Sequence, residues 1–238
     1  MLEEHKAIAK DIIDLAQKYG AEQVSVSLAK STSFQVDVRE QKIESLQESG
    51  SSGIHLTVSK NKRRSTVSSN DFRAETLAPL IRSTLEALPY MGEDKFYSLP
   101  DPKLQGRAPV ELEFLDPDFD KLSSAEKVKI PLELEDLSLD ADQKLKTEQS
   151  FYSDSISYMV HADSNGFLEG ETKTIYSMGI SMIADDVEST SNGTSESTNV
   201  GRKQTDGWYS AARFHQNLTP AKEIVEKACQ RTLRKLGA

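Results

Sequence analysis

Residues 151–184, FYSDSISYMVHADSNGFLEGETKTIYSMGISMIA, decide the fold of this chain. In the first half Tyr152, Ile156, Tyr158, Val160 and Ala162 share one parity, while Ser153, Ser155, Ser157 and His161 take the other. That alternation is the period-2 signature of a strand with one buried face, with Asp154 and Met159 as its exceptions. In the second half Leu168, Tyr176, Met178, Ile180, Met182 and Ala184 alternate with Glu169, Glu171, Lys173, Ser177 and Ser181, and Ile175 and Ile183 break the rule. Between them Asp163-Ser164-Asn165-Gly166 supplies an Asn-Gly pair, which tolerates the positive φ of a tight corner. The stretch reads as a long antiparallel hairpin.

On its N-terminal side, Ser123 and Glu126 have the spacing of a capping box that opens a helix through Val128, Leu134, Leu137 and Leu139 toward Leu145, with Pro131 as an irregularity. On its C-terminal side, residues 185–205 are rich in Ser, Thr, Asn and Gly and read as a long hairpin end or mobile loop. Trp208, Ser210, Ala212 and Phe214 then mark a third strand for the same sheet, and Thr219-Pro220 opens a last helix with Ile224, Val225, Ala228, Leu233 and Leu236 inward and Gly237 at its exit.

Nearer the start, Ile8, Ile12, Leu15, Ala16 and Tyr19 give an amphipathic helix stopped by Gly20. Short strands are predicted through Val24–Leu28, Phe34–Val38, Ile43–Leu46, Ile54–Val58 and Ser65–Ser68, with the Gly/Ser run 48–53 as a corner. Asn70 and Asp71 are placed to cap a second helix carrying Leu77, Leu80, Ile81, Leu85 and Leu88, where Pro79 implies a kink or a late start. Pro89, Pro100, Pro102, Pro109 and Pro117 then read as an extended linker. The expected fold is therefore α+β in two domains, each an antiparallel meander or hairpin sheet packed with amphipathic helices: 1–92, a proline-rich linker 93–117, and 118–238.

At 37% hydrophobic and 28% charged, the 238 residues have a globular composition. The net charge of -9 argues against direct nucleic-acid binding, which depends on cations neutralising phosphates. A single cysteine, Cys229, excludes an internal disulfide, and Met1-Leu2-Glu3-Glu4-His5 lacks a signal pattern. No apolar run reaches the ~18 residues of a membrane helix. A reducing cytoplasm is the expected location, where the sequons at Asn192 and Asn217 carry little meaning.

No catalytic, cofactor-binding or metal-binding residue is expected in this chain. His5, His55, His161 and His215 have no second ligand at metal spacing, and His55 and His161 fall on polar parities that suit solvated rings. Cys229, beside the inward Ala228, reads as a small buried hydrophobe. Asp116-Pro-Asp118-Phe-Asp120 begins like a calcium loop, but Lys121 and Lys127 occupy the positions that need Gly and Glu, so the acids read as a lead into a helix N-terminus. Lys60, Lys62, Arg63 and Arg64 read as a solvated hairpin tip first and a patch for an acidic partner second. Gly50 to Gly53 lacks the lysine of a phosphate loop, and adjacent Asp185 and Asp186 on a strand point to opposite faces.

Taken together, Gly20-Ala21-Glu22-Gln23-Val24, Glu44-Ser45 with Gly53-Ile54-His55-Leu56-Thr57-Val58, Ser65-Thr66-Val67-Ser68-Ser69-Asn70-Asp71-Phe72, Ser164-Asn165-Gly166-Phe167-Leu168-Glu169-Gly170 and Ala228-Cys229-Gln230-Arg231-Thr232-Leu233 resemble, in order and spacing, the first half of the TldD/PmbA family, also called modulators of DNA gyrase, and more closely its PmbA (TldE) branch. The resemblance implies an intracellular metalloprotease assembly acting on unstructured peptides, in which a TldD-like subunit carries His-Glu-x-x-x-His, and with it zinc, in a C-terminal half. The family's metal ligands have no positions here, so this chain alone is expected to be inactive and without a cofactor. Members of the family are about twice this length, which implies that the chain is a fragment or a truncated relative. The implied partners are the TldD-like metal-bearing subunit and unstructured peptides. A homodimer in isolation is expected from the hairpin itself, whose first strand reads as an exposed edge with Ser155 and Ser157 on its polar face. The alternative is a non-catalytic module that captures extended peptide on exposed sheet edges.

Overall fold

A computed structural model describes residues 1–106, 110–139, 141–142, 144–186 and 202–236, with Asp186 described by its backbone alone. Helix α1 (Leu2–Lys18) leads into β1 (Gln23–Arg39), β2 (Lys42–Lys60) and β3 (Arg63–Ser69). Helix α2 (Ala74–Ala87) follows, then short 3-10 turns, α3 (Ser124–Leu139), the hairpin strands β4 (Leu145–Asp163) and β5 (Leu168–Asp186), β6 (Arg202–Ala212) and α4 (Ala221–Leu233). The strands hydrogen-bond in the order β3-β2-β1-β4-β5-β6. β2 and β3 are antiparallel, as are β5 and β6. The tight turns joining β1 to β2 and β4 to β5 force the same sense. Between β1 and β4, Val24 meets Ser164, Ser27 meets His161 and Val38 meets Ser150, so one number falls as the other rises. The α+β expectation and the central hairpin hold.

The hairpin corner follows its residues. Gly166 has φ +100°, and the Asp163 carboxylate accepts from the Asn165 and Phe167 amides at 2.8 and 3.3 Å. The two breaks in the β4 alternation also have causes: Asp154 is buried because Lys127 and Tyr152 meet its charge, and Met159 is exposed.

Two compact units make up the chain, each from three segments: 1–32, 50–114 and 156–173 in the first, and 33–49, 115–155 and 174–238 in the second. This differs from a division at 93–117, because strands of 17 to 19 residues reach roughly 55–60 Å and outrun one small core, so a single strand serves two cores in turn. In the first unit α1 and α2 contribute Ile12, Ala16, Leu77 and Ile81 to a core with Val24, Val26, Leu28, Leu56, Val58 and Val160. In the second, α3 and α4 contribute Leu134, Ile224, Val225 and Ala228 to a core with Phe34, Val36, Val38, Tyr152, Tyr176, Ile180 and Met182. Each Val, Leu, Ile, Phe or Met side chain among these contributes about 1.5–3 kcal/mol by leaving water.

Other expectations shift. The strands read separately at 24–28 and 34–38 are the single β1, and those at 43–46 and 54–58 are the single β2. The Gly/Ser run is extended strand rather than a corner; Ser51 bonds Ser31 and Ser49 bonds Ser33 across the ladder, each at 2.8 Å. Helix α2 starts late, at Ala74, with Asp71 accepting from the Arg73 amide and Thr76 hydroxyl ahead of it. The capping box forms at Ser123 and Glu126, but α3 ends at Leu139, and Leu145 opens β4. The described part of the proline-rich stretch up to Phe114 belongs to the first unit: Leu99 is buried, and Gln105 donates to Asp163 at 2.6 Å. Strand β5 runs to Asp186 and β6 starts at Arg202, so only 187–201 of the expected loop remains, outside the described residues, as does Gly237. β4 pairs on both sides, which removes the exposed edge attributed to Ser155 and Ser157.

Candidate peptide-binding edge

The first half of β2 is an open edge of the second unit; β6, last in the strand order, is another among the described residues. β3 pairs only with Ile54–Lys60, so Lys42–Ser49 has β1 on one side and, among the described residues, no strand on the other. Every residue of this segment is exposed, and Ile43 (50%) and Leu46 (48%) point to opposite faces. Such an edge offers outward N–H and C=O groups with apolar side chains on either side, the features an extended peptide needs to add as a further strand.

The segment is held in place by its ends. At the β1–β2 turn Glu40 and Gln41 have φ of 52° and 60°, a left-handed conformation that residues with a Cβ adopt at a cost of about 1–2 kcal/mol each. The offset comes from α3, where the Glu135 carboxylate, 1% exposed, accepts from the Glu40 and Gln41 amides at 3.1 and 2.6 Å. The Gln41 side chain also donates to the Leu132 carbonyl at 3.4 Å. At the other end Ser124, the first residue of α3, donates to the Glu48 carboxylate at 3.1 Å. Helix α3 therefore runs alongside the open segment and ties both of its ends. On the outer face Ser45 donates to Asp37 at 2.6 Å, linking the segment to β1.

Behind the edge lies a buried polar cluster. Lys127 pairs with Asp154 at 2.7 Å with its ammonium over the Phe34 ring, and the Tyr152 hydroxyl donates to the same carboxylate at 2.8 Å. Burial, then the Asp154 charge, holds the Tyr152 phenol well above its usual range. Burial opposes the Asp116 charge, but the amides of His215 and Asp118 donate to its carboxylate, each at 3.0 Å, and outweigh it, leaving the pKa lowered. Tyr176, its hydroxyl buried next to Asp116 without a well-formed hydrogen bond, is pushed up chiefly by burial. Lys127, Asp154 and Tyr152 satisfy one another and hold β4 to α3.

The histidines stay apart. His55 and His161 are exposed and bonded to Ser68 and Ser27; His215 packs edge-on to Tyr152 and Tyr176. His5 is buried, edge-on to Phe72, which its spacing four residues before the inward Ala9 could have signalled. Burial raises the Cys229 thiol. Among the described residues no three His, Cys, Asp or Glu side chains are grouped to hold a metal ion. Asp116 caps its own turn, and Asp118 pairs with Lys121. In the basic run Arg63 pairs with Glu93 and Arg64 with Asp94, so the chain's own acids answer two of the four cations. No described helix is long and apolar enough to cross a membrane.

Known proteins resemble this chain along nearly its whole length. The profile of the PmbA/TldA metallopeptidase central domain matches residues 117–236, and that of PmbA/TldA metallopeptidase domain 1 matches 24–88. The metalloprotease PmbA homolog of Buchnera aphidicola is 25% identical over 96% of the chain and 48% of its own length, and metalloprotease PmbA of Escherichia coli O157:H7 is 25% identical over 89% and 44%. This chain thus spans just under half of these relatives. A crystal structure assigned as a modulator of DNA gyrase from Bacteroides thetaiotaomicron superimposes with a TM-score of 0.82 at 25% identity, over 98% of this chain and 50% of that one. TldE from Thermococcus kodakarensis shares the fold at a TM-score of 0.73 and 16% identity, over 95% of this chain and 47% of that one.

Proposed function

The chain belongs to the PmbA/TldD family of metallopeptidases, and on that premise we propose that it is the non-metal, PmbA-like part of a peptide-hydrolysing assembly, holding extended substrate while a TldD-like partner carries the zinc. The observation that carries this reading is the open edge at Lys42–Ser49, braced at both ends by α3 and left without a strand partner among the described residues. Strand addition recognises backbone more than side chains, which suits unfolded peptides of varied sequence. In isolation two copies pair through the same edge, since a two-fold antiparallel match about Gln47 sets Glu48 against Leu46 and Glu44 against Gly50 without opposing like charges.

The test is a peptidase assay on the purified chain, a TldD-like subunit and their mixture, using an unstructured peptide. The chain alone should be inert, and the mixture should cleave faster than the subunit alone, with the gain lost to chelator. A mixture no faster than the subunit, while the chain still binds peptide, would instead support a stand-alone peptide-binding module.

A further inference from the structure

The first unit contains a cavity of about 310 Å³ on the outer face of the β4–β5 hairpin. Val160 and Ala162 face the core, so Met159 and His161 of β4 face outward, joined there by Glu169 and Glu171 of β5. The segment from Val110 to Phe114 forms the opposite wall, and Leu112, Phe114, Met159 and Phe167 make much of the lining apolar. An outward ribbon face is ordinarily wet and polar. Here 53% of Met159 and 52% of Leu112 stay exposed.

The acidic side chains in the cavity lining differ in how far they are already answered. Glu111, Glu169 and Glu171 line it, and among the described residues no lysine or arginine does. Glu171 is paired with Lys173, whose ammonium also lies 5.0 Å from the centre of the Phe114 ring. That arrangement shows in miniature how the site holds a cation: carboxylate on one side, aromatic face on the other. Glu169, half-buried in the same lining as Met159 and Phe167, makes no hydrogen bond or ion pair among the described residues.

We propose that this cavity binds a lysine or arginine side chain of an extended peptide, the charged head against Glu169 and the methylene stem along Met159 and Leu112. The inference rests on the reading of the chain as a peptide holder and adds a preference for basic residues. Long cationic side chains bury their stems on apolar surface while the head keeps a polar partner. The Met159 thioether adapts to either stem. At the low end of the ~300–1,000 Å³ typical of ligand sites, the volume suits one or two side chains.

The experiment uses the 238-residue chain with methionine methyl groups labelled in carbon-13, the Met159 signal being assigned through Met159→Leu. Capped, fluorescein-labelled Ala-Leu-Lys-Leu-Ala and its Glu counterpart are titrated, with anisotropy reading total binding and the methyl signal reading the cavity. The lysine peptide should shift the Met159 methyl and the glutamate peptide should not. Glu169→Gln should weaken the lysine peptide about fivefold, the upper end for a partly exposed ion pair, and Glu169→Asp should retain most of the binding. Both variants sit at a half-exposed strand position, and circular dichroism checks their fold. Binding by anisotropy with an unmoved Met159 methyl, or equal binding of both peptides, overturns the basic-side-chain site and leaves the peptide reading standing. No binding of either peptide overturns both.

Discussion

Replacing Glu135 by alanine removes the single carboxylate that holds the β1–β2 turn. Its two hydrogen bonds, at 3.1 and 2.6 Å from a side chain 1% exposed, are charge-assisted, and each is worth roughly 1.5–3 kcal/mol. The Glu40 and Gln41 amides sit in an exposed turn and regain water once the carboxylate is gone, which returns part of that loss. The left-handed conformations of both residues, however, then stand without their offset. The expected destabilisation of the second unit is about 2–4 kcal/mol. Glu135→Gln keeps one acceptor oxygen and should lose about half as much. Urea unfolding followed by Trp208, which packs on the core of that unit, measures it, and hydrogen exchange at the Glu40 and Gln41 amides localises it. Glu135→Ala within about 0.5 kcal/mol of the parent, with unchanged exchange at both amides, would refute the assignment of Glu135 as the anchor of the open segment.

Lys127→Met leaves Asp154 buried with only the Tyr152 hydroxyl and should cost about 3–5 kcal/mol in the same unfolding assay, whereas Lys127→Met with Asp154→Leu should recover most of it. Burial opposes the Asp206 charge, but Lys235, the Gly207 amide and Arg231 outweigh it and bring its pKa down to about 2. A depressed folded pKa gives stability that is full above the unfolded value near 3.9 and is lost as pH falls through about 2, so Asp206→Asn should flatten the acid limb between those values. Sedimentation of the isolated chain should show a concentration-dependent dimer that Leu46→Glu, which sets a carboxylate against Glu48 of the second copy, shifts to monomer while leaving the circular dichroism unchanged; a monomer at every concentration would remove the self-pairing proposal.

What was legible in the sequence depended on how near the cause lay. The β4–β5 hairpin carries its alternation and its Asn-Gly corner within residues 151–184, and the capping box of α3 spans four residues, so both were readable. The continuity of β2 through Ser49-Gly50-Ser51-Ser52-Gly53 was not, because the hydroxyls that suit Ser51 and Ser49 to a strand are those of Ser31 and Ser33, 20 and 16 positions away. The turn at Glu40-Gln41 carries no Gly or Asn, and its reason, Glu135, lies 95 and 94 residues on. The open edge follows from that hidden turn and from the shortness of β3, which a list of short strands conceals. Likewise, prolines between 89 and 117 look like a linker until Leu99 and Gln105 are seen docked on the first unit. Asp154 and Met159, the two breaks in the alternation, were visible from the start, and one is a buried ion-pair partner while the other lines the cavity.

The central claim is that Lys42–Ser49 receives extended peptide as a strand, and amide hydrogen exchange across that segment, with and without a saturating unstructured peptide, tests it most directly. Strand addition predicts slowed exchange at alternate amides of the segment, those pointing away from β1, with little change in β1 itself. Peptide bound at saturation with exchange unchanged throughout Lys42–Ser49 would contradict the claim.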